Sequence, residues 1–263
     1  MGEYTDIYSR AHYYDIVFRR DVSSEVRFLI DLYRRHNGRP PTSTIDIACG
    51  PGYHAKVFAT LGIDAWALDL QPEMVDFAKS LDDPAGRAIH YLAADMRDFT
   101  LPAPVDLALN SFDSIDCLDT QDQIVDHFRA VARNLTPGGL YVMEITHPRD
   151  CSMWNYGHFQ YKGERDGVSV VIDWAVNNPS ADPVTQVVES EVVMTVVEKG
   201  ERRVFHDKAR ERFSTLQEYA ALAKLSGALT LVESYGDYRL EQPFDNSEGA
   251  RRMIVVLQAP SRA

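Results

Sequence analysis

Two acids close successive apolar runs, Asp69 at the end of Ala65-Trp-Ala-Leu-Asp and Asp95 at the end of His90-Tyr-Leu-Ala-Ala-Asp. A third, Asp46, lies inside Thr44-Ile-Asp-Ile-Ala-Cys-Gly-Pro-Gly, a run that ends in a glycine turn. A short buried strand that ends in such a turn and opens a helix brings backbone N–H groups close to a ligand. An acid at the tip of the neighbouring strand suits a ribose diol, because one carboxylate can accept from both hydroxyls. An acid on the next strand can accept from an exocyclic amine. Glycine turn, ribose acid and base acid, one per strand, describe a site for a nucleoside-bearing ligand.

The elements that would hold these residues can be read from periodicity. Tyr4, Ile7, Tyr8, Ala11, His12 and Asp15 fall at helical spacing. A second helix is predicted from Val22 to His36, with Asp21 as N-cap and Val26, Leu29, Ile30 and Tyr33 as its apolar stripe. Asn37-Gly-Arg-Pro-Pro ends it. Strands are then expected at Ala65–Leu68, Ile89–Ala93, Val105–Leu109 and Leu140–Ile145. Helices are expected at Tyr53–Thr60, Pro72–Ser80 and Gln121–Asn134, with Pro72 in a first helical turn. Strands and helices in alternation imply a doubly wound, mostly parallel seven-stranded α/β sheet with helices on both faces.

After Pro148 the alternation stops. Val168–Val176 and Val187–Val197 are β-rich, and Glu198-Lys-Gly-Glu leads as a hairpin into Arg202–Arg212, where Val204, His206, Lys208, Arg210 and Arg212 share a face. We read residues 151–213 as an inserted antiparallel lid of three or four strands, between a core of residues 1–150 and its completion in 214–263. Helix Thr215–Ser226 and strands Leu229–Ser234 and Met253–Gln258 finish the core.

The 263 residues are 45% hydrophobic, enough for one sizeable core with a subdomain, and carry a net charge of -12. That charge argues against nucleic-acid and anionic-membrane partners, which need a clustered positive field. Three cysteines with no Cys-x-x-Cys pair fit a reduced, cytoplasmic protein without a metal site. No apolar run approaches the ~20 residues that span a bilayer.

The motifs resemble those of the class I S-adenosylmethionine-dependent methyltransferases. Asp46-Ile-Ala-Cys-Gly-Pro-Gly-Tyr-His is similar to the family's first motif, and Leu68-Asp69 with Pro72-Glu-Met to its second. Ala94-Asp95-Met96 is similar to the third, Asn110-Ser-Phe-Asp-Ser-Ile-Asp-Cys-Leu to the fourth, and Leu135-Thr-Pro-Gly-Gly-Leu to the turn before strand five. Gly50-Pro-Gly-Tyr-His-Ala55 also fits a dinucleotide fingerprint, but a charge inside strand one and a separate acid after strand three do not. The resemblance implies S-adenosylmethionine as cofactor. It implies Asp46 near the methionine amine, with Gly50 and Gly52 at the methionine portion. It implies Asp69 and Leu70 at the ribose, Asp95 and Met96 at the adenine, and Asn110 and Ser111 under the methionyl end.

Methyl transfer from a sulfonium needs an aligned and deprotonated acceptor and the exclusion of water rather than a metal. His147, just past strand five, and Tyr14 are therefore the catalytic candidates. Tyr13, Phe112, Trp154, Tyr156 and Arg212 are expected to bind the substrate, through an aromatic lining and a carboxylate clamp. The first-motif wording resembles amine-modifying members, which favours N-methylation of a small molecule. O-methylation of a phenol or carboxylate and a non-catalytic cofactor-binding protein are the alternatives, and a homo-oligomer is left open.

Overall fold

A computed structural model describes residues 6–81 and 88–261. Tyr4, part of the first helical pattern, lies outside the described residues. The chain enters through a 3-10 turn at Ile7–Ser9, then α1 (Ala11–Phe18) and α2 (Ser23–Asn37). Asp21 accepts from the Ser23 N–H at 2.8 Å, two residues ahead of the helix it was expected to cap, while Val22 occupies the cap position. Gly38 ends α2 at φ +69°, a conformation open to glycine without the Cβ penalty.

The core follows as β1 (Ser43–Ile47), α3 (Tyr53–Thr60), β2 (Asp64–Asp69), α4 (Pro72–Ser80), β3 (His90–Ala93), β4 (Val105–Asn110), α5 (Gln121–Arg133) and β5 (Leu135–Thr146). The Pro-Gly-Gly segment expected as a turn is absorbed into β5, beside a register shift in its pairing with β4. An inserted run supplies β6 (Phe159–Arg165), β7 (Val168–Trp174), β8 (Val187–Glu198) and β9 (Glu201–Arg212). Then α6 (Leu216–Ser226), β10 (Thr230–Tyr235) and β11 (Arg252–Gln258) close the chain. The main sheet has the order β10-β11-β5-β4-β1-β2-β3, with β11 antiparallel to both neighbours and the other pairings parallel. Two apolar clusters pack its faces, one around Phe128, Val131, Tyr219 and Leu222, the other around Leu29, Leu32 and Phe58. Thr120 with Gln123 and Thr215 with Glu218 form capping boxes that start α5 and α6.

The inserted strands make a separate antiparallel sheet, β6-β7-β8-β9. Both of its tight turns place two residues at positive φ, Asp166 and Gly167 in one, Lys199 and Gly200 in the other. That is the backbone a two-residue hairpin with matching twist requires. Val170, Ile172, Val192, Met194 and Val196 bury one face of this sheet against Ile7 and Ile16. The approach of α1 is close enough that a Cβ on Gly163 would lie 2.2 Å from the Ile16 carbonyl oxygen. Asp15, fully buried on α1, ties three elements together. It accepts from the Tyr53 hydroxyl on α3 at 2.6 Å, from Arg165 at the β6–β7 turn at 2.6 Å, and from Arg19 at 2.8 Å. The position of the lid over the glycine turn is thus fixed through α1. Among the described residues no helix is long and apolar enough to cross a membrane.

Candidate active site

A cavity of about 720 Å³ runs from the carboxyl ends of β1–β4 to the inserted sheet. Its near end holds Gly50, Asp69, Leu70, Asp95 and Met96, brought together as the sequence implies, because parallel strands align their carboxyl ends. Gly50 and Gly52 sit at φ +53° and +75°, and a Cβ at Gly52 would press to 3.3 Å from the Tyr91 hydroxyl oxygen. Asp69 spans the turn: Oδ2 accepts from the Gly50 N–H at 2.9 Å and Oδ1 from the Gln71 N–H at 3.0 Å. Burial raises its pKa, against the lowering by these two N–H donors.

Met96 is held by a residue that sequence reasoning passed over. His127 Nδ1 donates to the Met96 carbonyl at 2.8 Å, and its Nε2 lies 2.6 Å from the Tyr141 hydroxyl, which donates to it. Burial lowers the His127 pKa to about 4, so the ring is neutral at pH 7, as this pairing demands. Asp95 is less free than expected. Arg97 Nε reaches both of its oxygens at 3.0 Å, and the Arg97 backbone N–H donates to Oδ1 at 2.8 Å. An exocyclic amine would have to share these oxygens with the guanidinium.

Asp46 and Asn110 lie behind the glycine turn rather than on the cavity wall. Asp46 is 2% exposed and neither oxygen has a hydrogen-bond partner; the Ala55 N–H faces it without reaching bonding geometry. The Asn110 amide donates to the Ile47 carbonyl at 3.1 Å, leaving a buried Oδ1 unpartnered. Ser111 is buried beside it and its carbonyl accepts from Ser114. His54, with Nδ1 4.0 Å from Asp46, is bonded through Nε2 to Glu25 at 2.7 Å, which makes it a prop beneath the turn.

Burial, opposed by the nearby His54 and reinforced by Asp69 and Glu25, raises the Asp46 pKa to about 6. A carboxyl whose pKa rises on folding stabilises fully below its unfolded value, about 3.9, and loses that contribution as pH rises through its folded value. At pH 8 the ionised group therefore costs the free protein on the order of 3 kcal/mol. Asp46→Asn should raise stability to urea at pH 8 and change it little at pH 4. Equal effects at both pH values would show that Asp46 is not strained by its burial.

The far end of the cavity is aromatic and acidic. Tyr14 and Phe18 from α1 face Phe112, Tyr156, Tyr161 and Trp174, with Trp154 at the rim, 81% exposed. Phe18 is the hub, its ring centroid 4.4 Å from Tyr14, 5.0 Å from Tyr161 and 5.4 Å from Phe112. Burial moves the Tyr14 hydroxyl well above its ordinary pKa, with Asp69 adding to the effect, so it stays a proton donor at pH 7. Glu211 projects into the same space.

Three expected residues do not reach it. His147 is 6% exposed; its Nε2 donates to the Asp245 carbonyl at 2.9 Å, and its Nδ1 accepts from the Arg149 N–H at 3.1 Å. With both nitrogens committed to backbone, it anchors the loop after β5 and is not the base at the cavity floor. His147→Ala should lower stability by roughly 1–2 kcal/mol while leaving cofactor affinity unchanged; loss of affinity in a folded variant would return it to the site. Tyr13 packs on the lid, stacked with Phe205 and bonded to Arg203 (2.6 Å) and Glu198 (3.3 Å). Arg212 is buried and donates to the Thr185 carbonyl and Gln186 Oε1 at 2.8 and 2.7 Å, so it clamps the chain before β8 rather than a substrate. The inward residue was its neighbour. Phe205 and Ala209 mark the buried face of β9, and alternation from them points to Glu211.

Residues 45–139 match the family described as a methyltransferase domain. The dTDP-3-amino-3,4,6-trideoxy-alpha-D-glucopyranose N,N-dimethyltransferase of Streptomyces venezuelae is 30% identical over 138 residues, 51% of this chain and 56% of that protein. The chain thus spans little more than half the length of that relative. The cypemycin N-terminal methyltransferase of a Streptomyces species is 25% identical over 236 residues, covering 87% and 86%. Among solved structures, an S-adenosylmethionine-dependent methyltransferase from Clostridium acetobutylicum shares the fold at a TM-score of 0.76 and 19% identity, over 97% of this chain and all of that one. The residues present fit S-adenosylmethionine: a glycine turn braced by Asp69 and, behind it, buried acceptors on Asp46 and Asn110 that have no partner in the protein. Residues 45–139 thus carry the methyltransferase-domain pattern, and the whole chain has the fold of the class I S-adenosylmethionine-dependent methyltransferases.

Proposed function

We propose that the protein N-methylates a small-molecule amine. The observation that carries this reading is a continuous cavity joining the carboxyl ends of β1–β4 to a lidded chamber lined by aromatic rings and carboxylates. When bound, S-adenosylmethionine supplies a methyl group already activated on a sulfonium. The chain's own residues are left to hold the acceptor, exclude water and keep a lone pair available. Asp69 offers an acceptor for the cofactor's ribose and Met96 with Leu70 an apolar border for its base, while Asp46 and Asn110 keep unpartnered acceptors behind the glycine turn, on the side proposed for the methionyl end.

Under the lid, Tyr14, Phe112, Tyr156 and Trp154 offer faces against which an amine-bearing molecule can pack. The cavity's carboxylates favour a basic acceptor over an acidic one. The relatives' names point the same way as to the atom methylated, since one is named for N,N-dimethylation of a dTDP-linked amino sugar and the other for methylation of the cypemycin N-terminus. Incubation with methyl-labelled cofactor and matched amines, phenols and carboxylic acids tests the proposal. Label on nitrogen is the expected outcome, and label confined to phenol ethers or base-labile esters would refute it.

A further inference from the structure

The acceptor chamber has a defined electrostatic sign. Four carboxylates line the acceptor end of the cavity, Asp113, Asp116, Asp119 and Glu211, of which Asp113 is paired with Arg252 at 3.1 Å; Asp69 and Asp95 lie at the cofactor end, and the cations of the lining are Arg97 and Arg210. Both cations are engaged: Arg97 with Asp95, and Arg210 with Glu189 and, at 3.1 Å, with Asp119. An anionic acceptor would therefore meet no uncommitted guanidinium among the described lining residues.

Glu211 is the carboxylate most clearly built to meet a ligand. Its Oε2 is fixed by two donors, the Tyr156 hydroxyl and, at 3.2 Å, Trp174 Nε1. Tyr156 is itself oriented by accepting from Trp174 Nε1 at 2.8 Å and from Ser190 Oγ at 3.0 Å. The other oxygen, Oε1, has no hydrogen-bond partner among the described residues and is not sealed in the interior. Asp116, 6% exposed, lines the same cavity; its Oδ1 accepts from Tyr219 at 3.1 Å while Oδ2 has no hydrogen-bond partner among the described residues. Tyr8, Tyr14 and Tyr161 line the wall, and their hydroxyls make no hydrogen bond among the described residues. Burial raises Tyr8, Tyr161, Cys117 and Cys151, as it raises Glu211 itself, and the charge of Glu211 adds to each of the four. Two-point fixing of one oxygen with the other left open is the arrangement of a carboxylate that binds, rather than one that merely packs.

We infer that the acceptor is recognised as a cation, its ammonium donating to Glu211 Oε1 within the aromatic wall and passing one proton to that carboxylate before the freed lone pair takes the methyl, and that molecules carrying phosphate or diphosphate are excluded. An N–H donor would satisfy the open oxygen, and the tyrosine and phenylalanine faces would add cation–π attraction in a partly desolvated site. A diphosphate would instead bring at least two negative charges beside the carboxylates of the acceptor end, where the lining guanidinium, Arg210, is already engaged. This inference rests on the N-methyltransferase reading and deepens it by naming the charge class of the substrate.

The test is calorimetric titration of the full chain, saturated with S-adenosylhomocysteine, using benzylammonium, benzyl alcohol, benzoate and thymidine 5′-diphosphate as probes. Benzylammonium should bind at least tenfold more tightly than the other three. Glu211→Gln should weaken it at least tenfold while leaving S-adenosylhomocysteine affinity within twofold. Tyr156→Phe, which keeps the ring and loses the brace, should weaken it less, with an unchanged melting temperature serving as the folding control for both. The inference is overturned if no ammonium binds, if Glu211→Gln binds it like the wild type, or if the diphosphate is preferred. A parallel methyl-transfer assay separates the two levels. Label on nitrogen in wild type and Glu211→Gln alike removes this subsite and leaves the proposed activity standing, whereas label on oxygen alone removes the activity itself.

Discussion

Asp69→Ala is expected to weaken S-adenosylhomocysteine binding about a hundredfold, on the order of 2.7 kcal/mol. Two losses combine. In the proposed placement of the cofactor the ribose hydroxyls would lose a charged acceptor, and charge-assisted hydrogen bonds are the strong ones. The Gly50 and Gln71 N–H groups lose the carboxylate that braces the glycine turn, so the turn must be ordered again on binding. The residue stands at the end of β2, outside the apolar clusters, so the fold should survive. Calorimetry on a variant with native circular dichroism checks this. Unchanged affinity there would mean that the β2 carboxylate serves the loop alone.

Asp15→Ala is expected to be the most damaging substitution to stability, costing roughly 3–5 kcal/mol, because it removes one member of a buried, multiply bonded charge group. Tyr53 and Arg165 would be left facing a void between α3 and the lid. Since Tyr14 and Phe18 stand on the same helix, acceptor binding should fall along with stability. The pH dependence follows from the same contacts. Burial alone would raise the Asp15 pKa, but the hydrogen bonds from Tyr53, Arg19 and Arg165 outweigh it and hold it below its ordinary value. A depressed carboxyl stabilises fully above its unfolded pKa, about 3.9, and its contribution disappears as pH falls through the folded value. Acid unfolding of wild type and Asp15→Asn should therefore differ in slope below about pH 4 and run parallel above pH 5. A variant with wild-type stability would show that α1 is held by Ile16 and the close contact at Gly163 without this joint.

The cofactor end was legible because its signals are local. Strand, glycine turn and following helix are contiguous from Ser43 to Thr60, and the apolar runs ending in Asp69 and Asp95 set their own register through burial. Helices Tyr53–Thr60 and Pro72–Ser80 have the bounds that periodicity predicted. Some of what went unread was also local. Asp166-Gly167 is a two-residue hairpin signal that would have revealed β6, and the parity of Phe205 and Ala209 would have favoured Glu211 over Arg212.

The acceptor end could not be read in this way, because its residues come from five separate segments. His147 has the right residue type after the right strand, yet the Asp245 carbonyl, 98 positions away, accepts the hydrogen bond from its Nε2–H. Asp95 ends the right strand, but whether Arg97 folds back upon it is a rotamer choice that spacing does not encode. Glu211 gains its role only where β9 crosses Tyr156 and Trp174. The sequence by itself determined the sheet, the glycine turn and the acids at the carboxyl ends of β2 and β3, since each follows from short-range periodicity and backbone sterics. The tertiary structure decided which side chains meet under the lid and which polar atoms remain open, because long-range packing consumes most donors and acceptors and leaves a few, such as Glu211 Oε1, for a ligand.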